Sequence, residues 1–144
     1  MEVSRAHLRA SLLDRLLDAD PATTFEKVAL RTQHEPDLRD AVRRDLELLL
    51  STRRSTLPEP GARTVYDYGV RDLSHLSPRS EEDRQRIASA LVEAIEACEP
   101  RLRNVRVRVA LHPHFTEALL VHIDAMLLAE AVQEPVSFPF VVRR

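Results

Sequence analysis

The sequence predicts an α+β domain in which amino-terminal helices precede a helix packed on a small antiparallel β-meander. Three observations carry that expectation. Ile87, Leu91, Ala94, Ile95 and Cys98 recur at helical spacing. Beyond them Val105, Val107, Val109 and Leu111 alternate with Arg106, Arg108 and Ala110, a period of two. Pro100 stands between the two patterns and disfavours helical geometry at Glu99, so a helix should end there and a strand begin.

The elements follow in chain order. Leu8, Leu12, Leu13, Leu16 and Leu17 give residues 1–20 a short amphipathic helix, which Asp18-Ala19-Asp20-Pro21 ends. A stripe that broad on so short an element must be buried, on its own core or on a partner. Residues 22–36 are polar and weakly patterned, a surface loop. A second helix, 37–54, starts after Pro36 and aligns Leu38, Val42, Leu46 and Leu49. Pro58, Pro60 and Gly61 mark a loop over 51–62, and Tyr66-Asp67-Tyr68-Gly69 reads as a short ordered turn. Ser77 and Pro78 open the third helix, 77–99, as capping residue and first helical residue. Glu81, Glu82 and Asp83 suit its amino end.

The sheet is expected over 102–142. One strand runs 102–111, residues 112–115 turn, and a second strand runs 117–128. Gln133-Glu134-Pro135 turns into a third strand carrying Val136, Phe138, Phe140 and Val142 on one face. Connections this short imply an antiparallel meander.

Composition limits the function. A chain of 144 residues is most simply one domain, 1–144, large enough to bury a core. A formal net charge of −2 gives no global field for nucleic acid, so no nucleic-acid partner is expected. Among the 21 basic residues only Lys27 is lysine, and arginine suits bidentate contacts at interfaces. The lone Cys98 excludes an intramolecular disulfide and agrees with a reducing compartment. No leader pattern and no apolar run of membrane-spanning length is seen, so a cytoplasmic protein without direct membrane insertion is expected. With only Gly61 and Gly69, neither a phosphate-cradling loop nor a nucleophile elbow can be built.

The residues that could carry chemistry have plainer readings. His112 and His114 fall at a turn and His122 lies further along the ladder, so they read as loop and strand residues rather than a metal site. Cys98 belongs to the apolar stripe of its helix and reads as packing. A glycosidase needs two facing carboxylates, one in apolar surroundings. The acids here sit among solvated helix charges, and aromatic residues are only 4% of the chain, too few for sugar stacking. No catalytic residue, cofactor or metal is assigned. The signs mixed along Arg43, Arg44, Asp45, Arg53 and Arg54 read either as a solvated face or as a docking surface.

The order of motifs is informative. Ser11-Leu12-Leu13-Asp14-Arg15-Leu16 is followed by the stretch 42–54, then by Tyr66-Asp67-Tyr68-Gly69, then by Glu99-Pro100-Arg101-Leu102. This series resembles the TssE family, type VI secretion baseplate subunits related to the small wedge protein of contractile phage tails. The resemblance covers nearly the whole chain and departs at Val70-Arg71, where the family more often has leucine then proline. It implies a structural part with a sheet like the sheath's handshake domain, bound to subunits of the TssF and TssG type and starting polymerisation of contractile sheath subunits. Such a protein would reach the membrane-anchored apparatus only through other subunits. Glu99, Pro100 and Arg101 match the family motif that contacts the helical core bundle of the wedge, and the opening leucine helix is the other docking element implied. A peptidoglycan-cleaving enzyme and the wedge protein of another contractile device remain the alternatives.

Two expectations about surfaces follow. Glu99 and Arg101 should face a partner, because Pro100 fixes them where the chain leaves its own core. Arg101→Ala should then leave the melting temperature nearly unchanged and abolish wedge binding. The strand bearing Val136, Phe138, Phe140 and Val142 should be an edge, since Pro139 lacks the N–H a central strand needs. The sheath-docking edge is placed on this strand, at Val136, Phe138, Phe140 and Val142, and the strand at 102–111, carrying Arg106 and Arg108, is the other edge and a competing dock.

Overall fold

The computed structural model describes residues 8–9, 32–33, 35–54, 67–115, 118–129 and 132–143. Among them are β1 (Leu8–Arg9), β2 (Thr32–Gln33), α1 (Glu35–Ser51), α2 (Glu81–Cys98), β3 (Leu102–Leu111), β4 (Ala118–Ala129) and β5 (Val132–Arg143). The sheet order β3-β4-β5 is antiparallel throughout, the expected meander in an α+β fold.

The core lies between two helical stripes and one sheet face. Leu38, Val42, Leu46 and Leu49 of α1 are buried, as their spacing predicts, and so are Ile87, Leu91, Ala94 and Ile95 of α2. Alternate positions of the sheet meet them: Val121, Ile123, Ala125 and Leu127 on β4, Val136 and Phe138 on β5. The register stacks Val107, Ile123 and Phe138 in one row and Arg106, Asp124 and Ser137 in the next, so the polar row faces away from the helices. Burial declines along β3, from Leu102 and Val105 to Leu111, which is 42% exposed. The hairpin end of β3 is thus left uncovered, while Leu119, its neighbour on β4, stays buried.

Several boundaries differ from the sequence reading, each for a local reason. Leu8 and Arg9 form a strand paired with Thr32 and Gln33, where a helix and a loop were expected. α1 begins two residues early, because proline is tolerated in a first turn where its missing N–H has no partner to lose. It ends at Ser51, so Arg53 and Arg54 lie beyond it. There Ser51 Oγ and Thr52 Oγ1 both donate to the Leu48 carbonyl, satisfying an acceptor that a continued helix would have used. The cap of α2 is Ser80 rather than Ser77: its hydroxyl accepts from the Asp83 N–H, while the Asp83 carboxylate accepts from the Ser77 N–H at 2.8 Å. Ser77 and Pro78 instead shape the preceding turn. Finally, β5 starts at Val132, so residues 133–135 belong to the strand and not to a turn.

Candidate functional site

The end of α1, the start of β3 and the segment at 67–70 meet at one corner, and the sequence motifs meet with them. Glu99 closes α2, its N–H donating to the Ile95 carbonyl at 2.8 Å, and its side chain is turned inward, leaving the residue only 4% exposed. Arg101 saturates it. The Arg101 backbone N–H and Nε donate to Glu99 Oε1 at 3.1 and 2.7 Å, and Nη2 donates to Oε2 at 2.5 Å. The same Nη2 also donates to Asp45 of α1, 56 residues earlier in the chain. Burial works against the Arg101 charge, but the two carboxylates outweigh it and hold the guanidinium's pKa above its ordinary value. Its Nη1 is buried and finds no acceptor among the described residues. Burial first, and then the neighbouring Asp45, Cys98 and Glu99, push the Tyr68 hydroxyl pKa up.

Gly69 brings the neighbouring segment in. Its φ is +110°, and a Cβ there would lie 2.7 Å from the Thr52 carbonyl oxygen. Only glycine permits that approach, which lets the Val70 N–H donate to Thr52 at 2.9 Å and the Arg54 N–H donate to Val70 at 2.8 Å. Arg53 and Val70 form an isolated parallel bridge.

The predicted partner-binding residues therefore divide. Asp45, Glu99 and Arg101 converge, but inward: the expectation that the corner turns its charges away from its own core is corrected by the burial of Glu99. Pro100 is exposed and Leu102 is buried in the core. Arg43 and Arg44 are exposed on α1, with the Arg43 guanidinium 5.8 Å from the Phe140 ring centroid. Arg53 is exposed, whereas the Arg54 side chain is 8% exposed and lies 3.9 Å from Glu93. Leu12, Leu13 and Leu16, with the amino-terminal helix drawn through them, lie outside the described residues, as does Tyr66. Val136 and Phe138 are buried under the helices, Phe140 and Val142 partly so, and their strand is at the edge of the described sheet. The Asp45–Arg101 pairing and the close approach at Gly69 escaped sequence reasoning. A buried arginine needs counter-ions, but nothing local names a partner so distant in sequence.

The sites weighed for chemistry are engaged structurally. His112 Nδ1 accepts from the N–H groups of His114 and Phe115 at 3.1 and 3.2 Å, shaping the turn. Cys98 is half-buried against the core. An open cleft of about 710 Å³ lies where α1 approaches β5, and its carboxylates are Asp40 and Asp124. Asp124 accepts from Ser137 Oγ at 2.7 Å and from Arg108 at 2.8 Å. The serine hydroxyl first, and then the arginine, hold its pKa below the usual value, the reverse of what a general acid needs.

Comparison with known proteins decides the family. A family model described as baseplate wedge protein gp25 matches residues 36–132, well over half of the chain. The chain belongs to the gp25 baseplate wedge family. The TssE resemblance drawn from the motifs is thereby borne out at the family level. Among solved structures, a chain of "The baseplate complex from the type VI secretion system" is 15% identical with a TM-score of 0.54, covering 76% of this chain and 97% of its own. A Geobacter sulfurreducens protein named for a tail lysozyme is 17% identical, also with a TM-score of 0.54, covering 74% of this chain and 93% of its own. Both show a shared fold. No curated protein matches the chain. Among the described residues no helix is long and apolar enough to cross a membrane.

Proposed function

We propose that this protein is a non-catalytic structural subunit of a type VI secretion baseplate, binding wedge subunits of the TssF and TssG type and templating the docking of contractile sheath subunits. The family match across residues 36–132 carries the reading. The fold shared with a chain of a type VI baseplate complex favours that assembly over another contractile device. The geometry adds two supports. A sheet whose outer strands have no further neighbour among the described residues offers a strand-addition template. The corner at 99–102 locks helices and sheet together, so Pro100 and the rim of Arg101 present a rigid surface that loses little freedom on docking. The leucines at 12, 13 and 16 and the exposed Arg43, Arg44 and Arg53 complete the proposed wedge-binding surface. On this reading the protein works in the cytoplasm and meets the membrane only through other subunits.

A lytic role suits the chemistry poorly. Glu99 is bonded on both oxygens by Arg101, and the carboxylate of Asp124 is held ionised. Co-expression with the wedge subunits should yield a complex that stays together through size-exclusion chromatography. Incubation of the purified protein with peptidoglycan should release no soluble fragments above a buffer control. Separate elution of all subunits would remove the adaptor reading, and fragment release lost on changing one carboxylate would replace it with an enzyme.

A further inference from the structure

The turn between β3 and β4 is closed by a side chain as well as by the backbone. The His112 N–H donates to the Ala118 carbonyl at 3.0 Å, and the Ala118 N–H donates to the Phe115 carbonyl at 3.1 Å. Pro113 has no N–H, so the next amides able to donate are those of His114 and Phe115. Both converge on His112 Nδ1, at 3.1 and 3.2 Å. An imidazole nitrogen accepts only while it carries no proton. The closed turn therefore assigns a neutral ring to His112, with its proton on Nε2.

The charged ring cannot keep these bonds. An imidazolium is a donor at both nitrogens, so a proton on Nδ1 would face two N–H groups and accept from neither. Leu111 and Leu119, the pair that closes the ladder beside the turn, carry no charge. The ionisable groups at this end are His114 and Arg143. The His114 ring centroid is 6.0 Å from that of His112, and the Arg143 guanidinium lies 6.0 Å from the Phe115 ring centroid. Both are basic, so neither offers an imidazolium a counter-charge. Further along the ladder Arg108 and Asp124 bond each other, with His122 paired to Arg108 in register. Glu117 lies outside the described residues. His112 also seats Phe115, their ring centroids 4.8 Å apart.

We propose that this turn is a proton-operated switch: neutral His112 holds it closed, and protonated His112 releases the His114 and Phe115 amides and with them the seat of Phe115. The turn is closed at the alkaline side and opens as pH falls. Imidazole is the side chain whose ordinary charge change lies between about pH 5 and 8, so mild acid suffices to operate it. What it rearranges is an apolar tip. Leu111, Phe115 and Val141 at this end of the sheet are 42%, 56% and 55% exposed, and Phe115 belongs to the turn itself. The switch rests on the turn's own bonds and is independent of the adaptor reading.

Nuclear magnetic resonance on the full chain tests the switch, with pH lowered from about 8 to about 5, across the ordinary imidazole value of about 6.5. At the alkaline end the His112 ring nitrogens should report the Nε2–H tautomer. As pH falls, the His114 and Phe115 amide resonances should move with the same midpoint as the His112 ring. Corrected for the intrinsic effect of pH, both amides should exchange about tenfold faster in the acid form. His112→Phe keeps a ring beside Phe115 but offers no acceptor, so its two amides should resemble the acid form at every pH. His114→Gln and Glu117→Gln should leave the wild-type response in place. An Nδ1–H tautomer at the alkaline end overturns the proposal. So does an amide response that survives His112→Phe or disappears in His114→Gln or Glu117→Gln. Should His112→Phe not fold, the wild-type tautomer and the shared midpoint decide alone.

Discussion

Arg101 and Arg108 each meet carboxylates, and their surroundings give the same chemistry opposite weight. The Arg101 side chain is 21% exposed and bridges Glu99 and Asp45; the Arg108 side chain is 73% exposed and reaches Asp124 across the ladder. In the first cluster, removing the cation strands carboxylates in low dielectric. In the second, water replaces it. The corner is therefore a brace of the fold, while the outer sheet face is a surface whose charges can change partners at little cost to stability.

The sharpest way to break this comparison is Arg101→Ala. Leaving Glu99 buried without its cation should cost about 3–5 kcal/mol of stability, lowering Tm by roughly 10 °C or more. This reverses the expectation drawn from the sequence, of an unchanged Tm, because the contact is internal. A Tm within 2 °C of wild type, on the order of 1 kcal/mol or less, would mean that the corner is solvated after all.

Gly69→Ala attacks the same corner without touching a charge. A side chain at φ +110° adds strain of about 1–3 kcal/mol, and its Cβ must also displace the Thr52 carbonyl. Chemical denaturation should show the loss, and the resulting weakness should include the 52–54 segment, read as faster amide exchange at Arg54 and Val70.

The outer face should respond least. Arg108→Ala should cost no more than about 1 kcal/mol, as exposed pairs do. Asp124 sharpens the point through pH. Its pKa is lowered in the folded state, so its contribution is complete above the unfolded value of about 4 and is lost as pH falls through the lower folded value. Ser137→Ala, which removes the larger cause, should flatten that acid-side dependence in urea titrations below pH 5, about a unit above the unfolded value. An acid-side slope equal to that of the wild type would show that Ser137 does not hold the carboxylate.

The amino-acid sequence by itself determined the local patterns: the helical stripes ending at Cys98, the strand at 102–111, the meander order, and an edge strand marked by Pro139. These are set by periodicity and by proline geometry, which act over a few residues and survive any tertiary arrangement. The motif order also determined the family, since each motif keeps its place along the chain. What only the tertiary structure decided is which way charges and backbone groups point. Asp45 and Arg101 are brought together by the packing of α1 and α2 on the sheet, so no local signal predicts that Glu99 is buried rather than presented to a partner. Nor could spacing tell that Gly69 is required by the Thr52 carbonyl.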